Sequence, residues 1–240
     1  MIDKLTNPID SAFVQGELLM SKVPQVHQVH EVALPWVDIL ALIAIIPFLI
    51  NLKPFLELIP SILSCAVRTR ECVNLENNIK LARTRNNFAY SFIIPFLLIV
   101  FEYDIYRPSF YMSLSPGFKF LTLIGIAIAY VLLAWAFTKL MAPDSSLIKN
   151  YRIACRSSYN FFILLMLFLL LAIGCFELFD ISEKLVQTIL YWIFGVTYFL
   201  YFIRKLQIFS ASFPFFTAIL YLCALEIIPT GAVVASAIIF

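Results

Sequence analysis

Charged side chains are scarce in this chain, since Asp, Glu, Lys and Arg together make up 13% of its 240 residues. A typical soluble domain is about 25% charged and about 45–50% apolar. Here 62% of the residues are hydrophobic, 24 are Phe, and the mean hydropathy is +0.93. This composition excludes a soluble domain. The net charge of +2 is also too small to indicate a nucleic-acid partner.

Sequence motifs for catalysis and for metal binding are absent as well. The chain has no Gly-rich phosphate-binding loop, no Ser nucleophile elbow and no His-Glu-x-x-His helix. Its five Cys form no Cys-x-x-Cys pair, and the His-x-x-His pair at His27 and His30 is, on its own, more often solvated. We therefore expect no metal, no cofactor and no enzymatic activity. An enzyme for lipid-phosphate substrates is the third-ranked alternative.

What the chain does have is a series of long apolar segments. About 20 apolar residues suffice to cross the hydrocarbon core of a bilayer as a helix. The sequence predicts an all-α polytopic transmembrane bundle over 32–240. Its spans are predicted near 33–50, 88–106, 118–140, 161–179, 185–203 and 213–240. The second span is the least certain of the six predicted spans, because its apolar run before Glu102 is shorter than a bilayer crossing needs.

Residues 53–87 form the longest polar stretch and are predicted to be a cytoplasmic amphipathic segment. Its first residues include a Glu and two Pro, so this part is too short and too interrupted to span. Further on, Cys72, Leu75, Ile79 and Ala82 recur at helical spacing among basic residues. Such a face would meet anionic headgroups or a partner. The same basic residues could serve only to set the membrane topology, and we prefer that explanation.

The basic residues indicate an orientation. Twelve of the 17 Lys and Arg fall in 53–87 or in loops on the same side of the predicted bundle. Cytoplasmic loops carry an excess of Lys and Arg, so both termini are predicted to lie outside. The mixed, polar residues 1–31 would then form an extracytoplasmic N-terminal segment.

Glu226 lies near the middle of the last predicted span. A charge at that depth costs about 2.5–3.5 kcal/mol on insertion scales, so we take Glu226 as a candidate functional residue. It could relay protons or cations, or it could bond to a neighbouring span or a basic side chain and fix helix packing. Pro229 would loosen the helix there, as in the discontinuous helices of transporters. The predicted intramembrane polar site is Tyr221, Cys223, Glu226 and Pro229.

Four basic residues stand at the inner ends of predicted spans. They are Arg152, Arg156, Arg204 and Lys205. A ring of this kind could bind a phospholipid or polyprenyl-phosphate headgroup. Charge that sets the orientation explains the same residues without a ligand, and we prefer that explanation.

The end of the chain resembles a known family. After Arg204-Lys205 and a Phe-rich linker, the string Tyr-Leu-Cys-Ala-Leu-Glu-Ile-Ile-Pro at 221–229 is similar to the closing motif of an uncharacterised integral membrane family of Bacteroidetes, a domain of unknown function. The resemblance covers about the last forty residues. It implies a Gram-negative inner membrane and an envelope-related role, and it supplies no activity.

Together these features predict a non-enzymatic subunit of the bacterial inner membrane that belongs to a larger envelope complex, such as a secretion or protein-translocation assembly. Its expected partners are membrane lipids and other integral membrane proteins. The alternative is a small transporter or lipid-handling protein that uses the intramembrane carboxylate Glu226.

Overall fold

A computed structural model describes residues 35–143, 148–179, 181–211 and 213–239. The prediction of an extracytoplasmic segment at 1–31 lies outside these residues. The contacts divide the chain into Met1–Ile39 and Leu40–Phe240. Of the first unit only 35–39 is described, as the first turn of a helix. The second unit contains the bundle.

Helices account for nearly all of the described residues, which contain no strand. Their bounds are α1 Pro35–Ile50, α2 Leu52–Val67, α3 Thr69–Asn77, α4 Ile79–Ser91, α5 Ile93–Glu102, α6 Pro116–Leu140, α7 Ile148–Phe179, α8 Glu183–Ser210, α9 Phe215–Leu222 and α10 Ile228–Ile239. A short 3₁₀ helix at Ser109–Ser113 precedes α6, and a π-helical turn at Cys223–Ile227 joins α9 to α10.

The predicted all-α polytopic membrane fold is confirmed. Five helical stretches are long and apolar enough to cross a membrane: Ile79–Glu102, Pro116–Leu140, Tyr151–Phe179, Lys184–Ser210 and Phe215–Ile239. Helices α1 and α2 pass the same test together, with a bend of 79° between them, and so bring the number to six if they form one broken span. The protein is therefore a multi-pass membrane protein. The position of both termini outside stays a prediction.

The helix that contains the second span begins earlier than the predicted 88–106. Helices α4 and α5 follow one another through Phe92, so the helical stretch runs over Ile79–Glu102. Asn78 starts it, because its side-chain Oδ1 accepts a hydrogen bond from the Leu81 N–H at 3.3 Å, a typical N-cap. Residues 79–87, predicted to be part of a surface segment, form the first turns of this stretch.

The segment predicted at 53–87 packs into the bundle. Its apolar face is buried in the main core, which α2 shares with α4, α7 and α8. The buried positions include Phe55, Leu58, Ile62, Cys65, Cys72 and Leu75. Ile79, predicted to lie on the same face, is instead 82% exposed, because the helix is interrupted at Asn78 and begins again. The chain itself therefore covers most of this apolar face.

Helices α7 and α8 pack against each other and form the centre of the main core. Helix α6 is the opposite case, since Leu123 is its one buried residue. A span that is apolar all round and uncovered faces lipid or another membrane protein. The arrangement thus places α7, α8 and the last span where they can share interior polar groups.

Candidate functional site

The last span widens at Glu226. The Ile228 N–H bonds to the Cys223 carbonyl five residues back, which is the bond of a π turn. Pro229 has no N–H, and its ring would collide with the Leu225 carbonyl four residues back in a regular α-helix. The wider turn accommodates this proline. The span is therefore bulged but continuous over Phe215–Ile239, and it is not broken in the way that the sequence suggested.

Glu226 forms an ion pair with Lys205 of α8. The Lys205 Nζ donates to Glu226 Oε1 and also to the Tyr201 hydroxyl, at 3.0 Å. Tyr201 and Lys205 are four residues apart on α8, so both side chains lie on one face of that helix. The ammonium also lies 5.4 Å from the centre of the Tyr201 ring, within the range of a cation–π contact. The Lys205 and Glu226 side chains are only 3% and 9% exposed.

Other polar side chains surround this pair. Tyr130 of α6, Cys155 of α7 and Tyr198 of α8 lie close enough to interact electrostatically with Glu226. Thr230 comes one helical turn after Glu226, and its buried hydroxyl lies close to the hydroxyls of Tyr130 and Tyr198. We call these residues the interior polar cluster. It consists of Tyr130, Cys155, Tyr198, Tyr201, Lys205, Glu226 and Thr230.

The burial of Lys205 and Glu226 determines what the cluster can do. Moving either charge out of water alone would cost several kcal/mol, whereas a pair with further hydrogen bonds offsets much of that cost. The pair is thus a strong internal contact between α8 and the last span. Chemically, it can also exchange a proton between carboxylate and amine, next to three tyrosine hydroxyls. It holds no unpaired carboxylate that is ready to bind a cationic substrate.

The other residues of the predicted intramembrane site have different roles. The ring of Tyr221 packs in an aromatic cluster, 5.0 Å from the Phe213 centroid and 6.0 Å from those of Phe209 and Tyr151. Cys223 contributes its carbonyl to the π turn. Pro229 is buried just after that turn. Of the four predicted residues, only Glu226 is therefore part of the ion pair.

The four basic residues predicted to form a headgroup ring are divided among three places. Lys205 is buried against Glu226. Arg204 closes the end of α2, because its guanidinium donates to the Ala66 carbonyl at 2.7 and 3.0 Å and also to the Val67 carbonyl. Consecutive residues on a helix point about 100° apart, so these two neighbours reach different elements. Arg152 and Arg156 remain exposed on α7.

A second buried ion network joins α3, α4 and α7. Arg85 is 1% exposed and lies 2.9 Å from Glu76, which also pairs with Arg156. Arg85 further donates to the Asn86 side-chain oxygen at 3.0 and 2.8 Å. Arg85 is one of the basic residues in the polar stretch 53–87 that was predicted to be a cytoplasmic amphipathic segment. It is buried because α4 packs against α7.

A signal for the interior polar cluster was present in the sequence. Tyr198, Tyr201 and Lys205 are spaced i, i+3, i+7, which puts them on one face of a helix. The fifth span was predicted to end at 203, which placed Lys205 in a solvated loop. Helix α8 continues to Ser210, and the extra turns carry Lys205 into the interior.

The connection at the predicted outer end, between α5 and α6, is packed against the bundle. The Tyr106 hydroxyl bonds to that of Ser236 at 2.8 Å, and the Tyr191 hydroxyl donates to the Ile105 carbonyl at 3.1 Å. Burial, together with the nearby Asp104 carboxylate, raises the pKa of Tyr111 to about 12. These contacts hold the loop against the bundle.

Comparisons with known proteins identify no relative: no family model, no curated protein and no solved structure matches this chain. The resemblance of residues 221–229 to a Bacteroidetes membrane family therefore stays a prediction. Arguments about function depend on the chain's own residues.

Proposed function

We propose that this protein is a non-enzymatic integral subunit of the bacterial inner membrane that works inside a larger envelope complex, such as a secretion or translocation assembly. The observation that carries the proposal is the pairing of Glu226 with Lys205. Both side chains are more than nine-tenths covered, so the one acid of the last span is engaged in an internal contact. In this proposal the interior polar cluster fixes how α8 and the last span pack.

The apolar surface of α6 supports the same proposal. Its 25 residues carry charge only at Lys119 and Lys139, near the two ends, and Leu123 is its one buried residue. Trp135 is among the large side chains that it exposes. Helices in a membrane associate through close van der Waals packing and interhelical hydrogen bonds. A long uncovered span offers the surface on which a subunit can contact another integral membrane protein.

Native purification tests this proposal. A chromosomally tagged protein would be extracted in mild detergent, and whatever co-purifies in constant stoichiometry would be identified, with an unrelated tagged multi-pass protein as the control. We expect a membrane partner with the wild type. We also expect it with the double variant Lys205→Met, Glu226→Leu, because that variant replaces the ion pair by apolar packing. A tagged protein that purifies alone and keeps its full cellular function would contradict the proposal.

The second candidate is a small transporter or lipid-handling protein that uses Glu226. The π turn at Cys223–Ile227 favours it, because such turns are frequent at functional sites. Movement of a proton from Lys205 to Glu226 would leave both groups neutral and loosen the contact between α8 and the last span. That step could couple proton movement to a change in helix packing.

Proteoliposomes distinguish the two candidates. The purified protein would be reconstituted with an entrapped pH-sensitive dye, and proton entry would be followed under an imposed potential. A transporter of this kind predicts proton flux that is lost in Glu226→Gln and kept in the control Glu57→Gln, whose side chain is exposed on α2. A structural pair predicts the background rate in all three proteins.

A further inference from the structure

The exposed end of α7 presents basic and hydroxyl groups on one face. Arg152, Arg156 and Tyr159 are spaced i, i+4, i+7, so they lie along the same side of the helix over two turns. They come at the start of the span Tyr151–Phe179. By length and composition, this is the depth at which a span leaves the hydrocarbon core and meets lipid headgroups.

The charges at this face are not balanced. Glu76 lies between Arg85 and Arg156, so these three groups together carry one positive charge. Arg85 is buried and its donors are engaged by Glu76 and Asn86. Arg156 is 44% exposed and contacts Glu76 through Nη1. It makes no other hydrogen bond to the described residues. Arg152, one turn away and exposed, adds a second positive charge.

Two tyrosine hydroxyls add neutral donors. The Tyr159 and Tyr90 hydroxyl oxygens lie 3.3 Å apart. Because one hydroxyl donates to the other, the second O–H remains available to another acceptor. Tyr159 lies within electrostatic range of Arg156, and its ring lies under the Arg85 guanidinium, 5.8 Å from centroid to Cζ. Charged and neutral donors are thus held side by side between α4 and α7.

We propose that Arg152, Arg156 and the Tyr90–Tyr159 hydroxyl pair bind the phosphate of an anionic membrane lipid. A guanidinium presents parallel N–H donors that match phosphate oxygens, and a tyrosine hydroxyl adds a further donor. The Glu76 carboxylate does not exclude such an anion, because it is nearly buried and already paired with Arg85 and Arg156. The next turn of the same surface exposes Ile93 and Ile94, which would contact acyl chains. These apolar neighbours favour a lipid over a soluble phosphate.

The lipid phosphate is a ligand distinct from the protein partners of the proposed subunit, and its site differs from the four-residue ring considered from the sequence. Arg204 and Lys205 are excluded from the site, because one closes α2 and the other pairs with Glu226. Tyr90 and Tyr159 take their place. The lipid site and the subunit role can fail independently, since the first needs no protein partner.

The test is lipid retention by the full chain. Protein in mild detergent would be titrated with phosphatidylglycerol or with phosphatidylcholine, and bound lipid would be counted by native mass spectrometry. We expect wild type to prefer phosphatidylglycerol. A basic side chain near a lipid surface contributes a factor of about 5, so Arg152→Gln should weaken this binding about 5-fold and the double change with Arg156→Gln about 25-fold. Tyr159→Phe keeps the ring under Arg85 and should cost about 5-fold.

The control is Arg83→Gln, which removes an exposed arginine on α4 and should leave the preference unchanged. An equal loss in this control would overturn the proposal, because general charge would then explain the binding. Inorganic phosphate is the second arm. If it displaced the lipid at equal concentration, the site would belong to a soluble anion and the lipid assignment would be wrong. Arg152→Gln leaves the Glu76 network intact, so it remains informative if the double variant does not fold.

Discussion

Removal of Lys205 should destabilise the protein, because the buried Glu226 carboxylate loses its partner. In Lys205→Met, Glu226 keeps its position in the bundle interior and loses its ion-pair partner, while Tyr201 loses the ammonium that donates to its hydroxyl. Loss of one partner from a buried pair costs about 3–5 kcal/mol. The two side chains are 3% and 9% exposed, so solvent screening reduces this figure little. A shift of about 2–4 °C per kcal/mol then predicts a melting temperature lower by about 6–20 °C.

The double variant Lys205→Met, Glu226→Leu gives the sharper result. Replacement of a buried pair by apolar side chains of similar volume is often neutral or stabilising. The double variant should therefore be more stable than either Lys205→Met or Glu226→Leu. Stability would be measured by thermal unfolding in one detergent at one pH. Lys139→Met, which changes an exposed residue at the end of α6, is the matched control and should move stability by less than about 0.5 kcal/mol.

Additive stability losses in the two single variants would refute the ion pair. If the losses in the two single variants simply sum in the double variant, the side chains do not interact, and the interior polar cluster is not an ion pair in the folded protein. Tyr201→Phe provides an internal scale. It keeps the ring and removes the hydroxyl that accepts from the Lys205 ammonium, and a hydrogen bond to a charged group is worth about 1.5–3 kcal/mol.

Two further predictions follow from other charged groups. Glu76→Gln should cost about 3–5 kcal/mol, because buried Arg85 loses its counter-charge, while the exposed control Glu57→Gln should cost little. Arg204→Gln should speed amide hydrogen exchange in the last turn of α2, because the end of that helix loses a charged cap; unchanged exchange would contradict the capping role.

Hydropathy was enough to predict the fold class, because the length of an apolar segment can be read along one dimension. Hydropathy predicted the bounds of a helix less well wherever the helix contained charged residues. The stretch Ile79–Glu102 includes Arg85, whose cost is offset by Glu76 on the preceding helix. That pairing crosses the interruption at Asn78, so no fixed helical spacing could have predicted it. The helix that contains the second span therefore starts nine residues before the predicted span.

The interior polar cluster could also be predicted only in part. Glu226 could be predicted as an interior residue, since apolar sequence surrounds it on both sides. Its partner could not be predicted, because the sequence does not say which span lies beside the last one. The structure places α8 there, and its face at Tyr201 and Lys205 meets the π turn. Whether a charge is tolerated inside this bundle thus depends on the neighbouring helix more than on the residues next to it in the chain. For the same reason, Arg204 and Lys205 differ completely in role although they are adjacent in sequence.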